Sequence, residues 1–129
     1  MAHIPDIFPP DYATAVGQVR LLIPDVEQLT NPANPTAAAE YIFDDHQIQA
    51  FLTLYANSIK RAAAQAKLVL ATSETLISKV IRTDDLQTDG AKLGAELRAQ
   101  AKELRDQASE EELYEAYEDF EIVDFNRYI

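Results

Sequence analysis

The residues whose spacing comes nearest to a known chemistry lie between Asp85 and Glu96. Asp85, Gln87, Asp89, Gly90 and Glu96 fall at the first, third, fifth, sixth and twelfth places of a calcium-binding helix–loop–helix motif. That chemistry needs hard oxygen ligands converging on one ion. Gln87 stands where Asp or Asn is wanted, Lys92 takes a place that is usually apolar, and Leu93 to Glu96 already read as helix. A polar loop ending in a helix cap explains the stretch better than a metal site does. The two histidines, His3 and His46, have neither metal spacing nor a neighbouring nucleophile, and His46 falls in the first turn of a capped helix. Ser73, Thr75 and Ser78 lack a Gly-rich elbow and a base, and Gly17, Gly90 and Gly94 are too scattered to cradle a phosphate. Paired acids such as Asp44–Asp45 and Asp84–Asp85 read as caps and solvated loop. The expectation is a protein without catalytic residues, metal or cofactor.

One charged group remains. Lys60, Arg61 and Lys67 form a basic strip, with Lys79 and Arg82 further on. With 11 basic against 22 acidic residues and a net charge of -11, the chain is poorly suited to gripping phosphate. Acids of another subunit, or of the chain's own tail, are the expected partners of the strip, guiding assembly more than adding affinity.

The elements that must position these groups follow from periodicity. The chain has 129 residues and is 47% hydrophobic, enough for one domain with a modest core. It has no cysteine, hence no disulfide or thiolate metal site, and no stretch reads as membrane-spanning. Residues 1–10, with three prolines among Ile4, Ile7 and Phe8, read as an extended arm. Asp11 is a candidate cap for a short helix stopped by Pro24, and the two Asn-Pro dipeptides between Pro24 and Ala39 mark a surface loop.

The central stretch Phe43–Arg82 carries the longest helical pattern. Asp44 with Gln47 forms a capping box, Phe43 and Ile48 a hydrophobic staple, and Ile48, Phe51, Leu52, Tyr55 and Ile59 one apolar face. Asn57-Ser58 is the expected place for a kink or break. The alanines Ala62, Ala63, Ala64 and Ala66 permit close backbone approach, within the fold or from a neighbouring subunit. A second long helix, capped by Thr88 or Asp89, shows Leu93, Leu97, Ala101, Leu104 and Ala108 at helical spacing and packs on the first. Ser109 and Glu112 form another box, opening an acidic tail over 109–129 in which Leu113, Tyr114, Tyr117, Phe120, Phe125 and Tyr128 are costly to leave in water. The expected fold is all-α: a small bundle with one long central helix, a second long helix, an N-terminal arm (1–10) and a C-terminal tail around a helical domain over 11–108.

The succession VRLLIPD, YIFDDHQIQAFL, KRAAAQA and IRTDDLQTDG running into AELRAQAKELRDQA resembles the head-tail connector, or head-completion adaptor, proteins of tailed bacteriophages. The resemblance spans Tyr12 to Ala108. It departs where Asn57-Ser58 replaces a Gly-rich break, and the acidic aromatic tail lies outside it. It implies a non-enzymatic virion protein of the neck. Such a protein forms a homo-oligomeric, usually dodecameric, ring between the portal protein and a downstream neck, stopper or tail-completion protein, and extends the DNA channel without sequence-specific binding. A terminal segment commonly engages the portal, which makes Leu113, Tyr114, Tyr117, Phe120, Phe125 and Tyr128 the candidate portal or neighbour anchors. Lys60, Arg61, Lys67, Arg82, Asp84, Asp85 and Asp89 are then candidates for the inter-subunit surface. A different expectation from the same composition is a small acidic helical regulator that binds a basic partner surface.

Overall fold

The computed structural model describes residues 6–30, 36, 38–73 and 90–127, and in the last stretch the side chains of 92–118. Four helices make up the described regular structure: α1 Ala15–Leu22, α2 Asp45–Leu54, α3 Ile59–Thr72 and α4 Gly90–Arg127. The fold is all-α. Among the described residues the extended pairing is a single antiparallel bridge, Leu29 with Glu40, which ties together the ends of the loop between α1 and α2.

Helix α1 begins later than Asp11. Thr14 is its cap, its hydroxyl accepting from the Gly17 N–H at 3.1 Å. Asp11 instead supplies the turn before it: its carbonyl accepts from the Thr14 N–H (3.1 Å) and hydroxyl (2.7 Å). Helix α2 begins where the sequence indicates. Gln47 N–H donates to Asp44 Oδ1 at 2.7 Å and Asp44 N–H donates to Gln47 Oε1 at 2.9 Å, which satisfies two otherwise orphaned donors. Phe43 and Ile48, the staple pair, are both buried in the core, and Phe43 also meets Phe51 edge-on at 5.4 Å.

The expected long central helix is two helices, parted at the Asn57-Ser58 break. Ala56 and Asn57 take left-handed backbone (φ 54° and 65°), and the Asn57 N–H closes back onto the Leu52 carbonyl at 2.8 Å. Asn tolerates this region better than most residues. Ser58 then caps α3, and Tyr55 bridges the break by donating its hydroxyl to Gln65 Oε1 at 2.7 Å.

Packing makes one core from all four helices. Val19 and Ile23 from the α1 end and Ile48 and Leu52 from α2 gather on one side of α3, while Leu93 and Leu97 of α4 pack on α3 as well, so that Leu70 and the alanines of α3 join them in one cluster. Each large aliphatic side chain buried this way contributes roughly 1.5–3 kcal/mol. The alanine face of α3 serves contact within the fold: α4 runs along it, burying Leu93, Leu97, Ala101 and Ala108, with Leu104 packed at the edge. A Cβ at Gly94 would stand 3.5 Å from the Ala71 carbonyl, an ordinary contact, so the helices cross closely there without requiring glycine.

The long helix of the molecule is therefore the last one. α4 continues for 38 residues, about 57 Å at 1.5 Å per residue, with no new start at Ser109. Ser109-Glu110-Glu111-Glu112-Leu113 is rich in good helix formers. The Ser109 hydroxyl, expected as a cap, accepts from Arg61 instead.

Candidate interaction surface

The arm and the loop are held by a buried charged hub centred on Arg20, which sits in the last turn of α1 among apolar neighbours and is 1% exposed. Its guanidinium donates to Asp25 Oδ2 at 3.1 Å and to Asp45 Oδ1 at 2.6 Å, and stacks 3.6 Å above the centre of the Tyr41 ring. Asp25 in turn accepts the Ile42 and Phe43 N–H groups at 2.9 and 2.8 Å, orienting the entry to α2. Burial pushes the Asp25 carboxyl above its ordinary value of 3.8, opposed by those two N–H groups and by Arg20.

The arm docks on the outer side of this hub. Ile7 N–H donates to Asp45 Oδ2 (3.0 Å), Tyr41 donates its hydroxyl to the Ile7 carbonyl (2.7 Å), and Asp45 N–H donates to Asp6 Oδ1 (3.0 Å). The Ile7 and Phe8 side chains remain more than half exposed. The hub escapes sequence reading because its members lie far apart in the chain. Its one local signal is Arg20 standing in the stripe formed by Val19, Leu22 and Ile23.

The basic strip of α3 meets α4, and the two helices run antiparallel. Lys60 pairs with Glu111, and Arg61 Nη2 donates to Glu112 Oε2 at 3.0 Å and to the Ser109 hydroxyl at 3.2 Å. This hydrogen bonding raises Arg61 and lowers Glu112 relative to their ordinary values. Lys60 and Arg61 thus find their acids in the same chain, at the start of the tail. Lys67 departs from the inter-subunit expectation, because it is 6% exposed within the α3–α4 contact. Its amine donates to Gln100 Oε1 at 2.6 Å. Long side chains at helical spacing share a strip in sequence, but α4 covers one end of it.

Burial holds the Lys67 amine below its ordinary 10.5. Between the folded value and 10.5 the unfolded chain binds the proton and the folded chain does not, so this group makes stability rise with pH there. Lys67→Met, which removes the desolvated charge while Gln100 turns to water, is expected to gain about 1 kcal/mol at neutral pH. The gain shrinks as pH approaches 10.5. Urea unfolding at neutral and alkaline pH checks both statements, and a loss at neutral pH would mean that the Gln100 bond outweighs the burial cost.

Beyond the clasp with α3, the described side chains of helix α4 face solvent. Every residue from Ser109 to Glu118 is exposed, with Leu113 at 72%, Tyr114 at 65% and Tyr117 at 57%. Of the other candidate anchors, Phe120 and Phe125 lie on helical backbone with side chains outside the described residues, and Tyr128 lies wholly outside them. Arg82, Asp84, Asp85 and Asp89 also lie outside the described residues, as do Asp85, Gln87 and Asp89 of the calcium-like set. Among the described residues no group of His, Asp and Glu is placed to hold a metal ion, and no helix is long and apolar enough to cross a membrane.

The arrangement offers a projecting helix. Its root is fixed by the Leu93–Ala108 packing and the Arg61 clasp, and beyond Glu112 it carries large exposed apolar side chains amid glutamates. Such a helix can seat aromatic anchors in a partner's groove while its acids meet a basic rim. Comparison with protein-family models, with curated proteins and with solved structures finds no match.

Proposed function

We propose that the chain is a structural adaptor of a tailed-phage neck, joining the portal to the next neck or tail component as a homo-oligomeric ring around the DNA channel. Its site of action in the particle is the head-tail interface. The observation that supports this best is the part of α4 beyond Glu112, which leaves Leu113, Tyr114 and Tyr117 exposed on a helix rooted in the body. The order of sequence segments from Tyr12 to Ala108 supplies the phage context, and the acidic balance suits a conduit that lets DNA slide. The role is geometric: the body sets the angle and the projecting helix carries the contact.

The test keeps the clasp intact. Replacing Leu113, Tyr114 and Tyr117 together by serine in the full chain leaves Ser109, Glu111 and Glu112 in place, so helicity and unfolding midpoint are expected to change little. Co-sedimentation with portal rings is expected to fall by at least about a hundredfold in affinity, as for loss of clustered aromatic anchors. Unchanged portal binding by the folded variant would contradict the proposal. If wild-type chain ignores portal but binds a basic host protein through the same residues, the regulator reading replaces the adaptor.

A further inference from the structure

Helix α4 carries two rows of charge that make no ion pair among the described residues. Glu96, Glu103 and Glu110 recur every seven residues, as do Arg98 and Arg105, and all five are exposed. Seven residues bring an α-helix back to within about 20° of the same direction and advance it about 10.5 Å, so each set forms a straight row along the helix. Two residues of offset turn the direction by about 200°. The acidic row and the basic row therefore run along opposite flanks of α4, on either side of the stripe that packs on α3.

These charges are not arranged for pairing along the helix. Lys102 finds Asp106 four residues on, at 3.0 Å. Arg98 has Gly94 and Lys102 at that step, Glu103 has Ala99 and Gln107, Arg105 has Ala101 and Ser109, and Glu110 has Asp106 and Tyr114. Of the row members, Glu96 alone has an opposite charge there, Lys92. Among the described residues none of the five makes an ion pair. Nor does another described helix cover the flanks: among the described helices α4 packs on α3 alone.

From this complementarity we infer that copies of the chain associate side by side through α4, the glutamate row of one against the arginine row of the next. The inference deepens the ring reading and rests on it. The two rows share one period, and each arginine lies about 3 Å along the axis from the glutamate two residues before it. A neighbour generated by rotation about an axis parallel to α4, with no shift along it, therefore brings Glu96 opposite Arg98 and Glu103 opposite Arg105 together. Using different flanks on the two sides makes the contact heterologous, which is the kind that closes into a ring. Exposed Ala95 and Ala99 between the rows leave room for the approach. The rows also give direction to an association that a net charge of -11 otherwise opposes.

Two double variants of the full chain test this: Glu96→Lys with Glu103→Lys, and Arg98→Glu with Arg105→Glu. Self-association is read by mass photometry and sedimentation equilibrium at low ionic strength, with circular dichroism confirming that each variant keeps its helices. Wild-type chain is expected to form higher oligomers that weaken as salt rises. Each variant alone should associate at least about tenfold more weakly, because like charges then face each other. An equal mixture should recover association, since the new lysines of one variant face the new glutamates of the other and the untouched rows pair as before. A folded variant that assembles like wild type, a mixture that stays dispersed, or a wild-type chain that stays monomeric would each overturn the contact. Those outcomes leave portal binding by the helix beyond Glu112 to its own measurement, so the two failures are distinguishable.

Discussion

Arg20→Met is expected to remove about 3–5 kcal/mol of folding stability, the range for breaking a buried ion pair by deleting one partner. The loss falls on Asp25, whose side chain is 1% exposed and which would keep two N–H donors but no cation. Asp45 suffers less, since its side chain is 25% exposed and can turn to water. The deficit should depend on pH with a definite sign. Without the guanidinium, burial raises the folded Asp25 carboxyl further above its unfolded 3.8, so the penalty is absent below 3.8 and grows as pH rises through the folded value. Urea unfolding should thus show a smaller gap between variant and wild type near pH 4 than at pH 7. A second substitution, Arg20→Met with Asp25→Asn, should recover part of the loss by removing the orphaned charge while keeping one acceptor for the α2 entry. A single variant within about 1 kcal/mol of wild type at pH 7 would contradict the hub's assigned role.

Gly17→Ala is the second large effect, and its sign opposes helix propensity. Gly17 lies inside α1, where Ala is favoured over Gly by roughly 1 kcal/mol. Yet a Cβ at this position would stand 1.9 Å from the Asp11 carbonyl oxygen and 2.5 Å from its carbon. That carbonyl is fixed by two hydrogen bonds from Thr14, so relief requires moving the turn that feeds the helix cap. A net loss of about 1–3 kcal/mol is expected, as for other forced insertions into packed structure. Thermal and urea unfolding check it. Equal or greater stability of the variant would mean that the turn yields at no cost.

The contrast between these two residues and the well-marked helix starts shows what a sequence carries. Asp44 and Gln47 declare the start of α2 because the capping box is complete within four residues, and Ser58 marks α3 in the same local way. Leu93, Leu97, Ala101 and Ala108 identify the packed stripe of α4 through periodicity alone. Thr14 and Asp11 compete as caps three residues apart, and the choice depends on how the chain reaches α1, which no local rule contains. Ser109 and Glu112 form an equally complete box, but it fails as a helix start because good helix formers lie on both sides and Arg61 of α3 captures both side chains. Lys67 falls in sequence with Lys60 and Arg61, yet only the line of α4 decides that it is buried. The hub joins positions 20, 25, 41 and 45 and is written in tertiary contact. That Leu113, Tyr114 and Tyr117 are costly to leave in water is legible in the sequence; the unbroken helix that carries them is not, because a cap motif at Ser109 suggests a break.

The proposed role of the projecting helix is to hold a partner ring whose symmetry the chain would follow. Native mass measurement of wild-type chain mixed with intact portal rings tests it most directly. On that proposal a discrete complex holding one copy of the chain per portal subunit is expected, and it is lost when Leu113, Tyr114 and Tyr117 become serine. A mixture in which portal and chain keep their separate masses at micromolar concentration would contradict it.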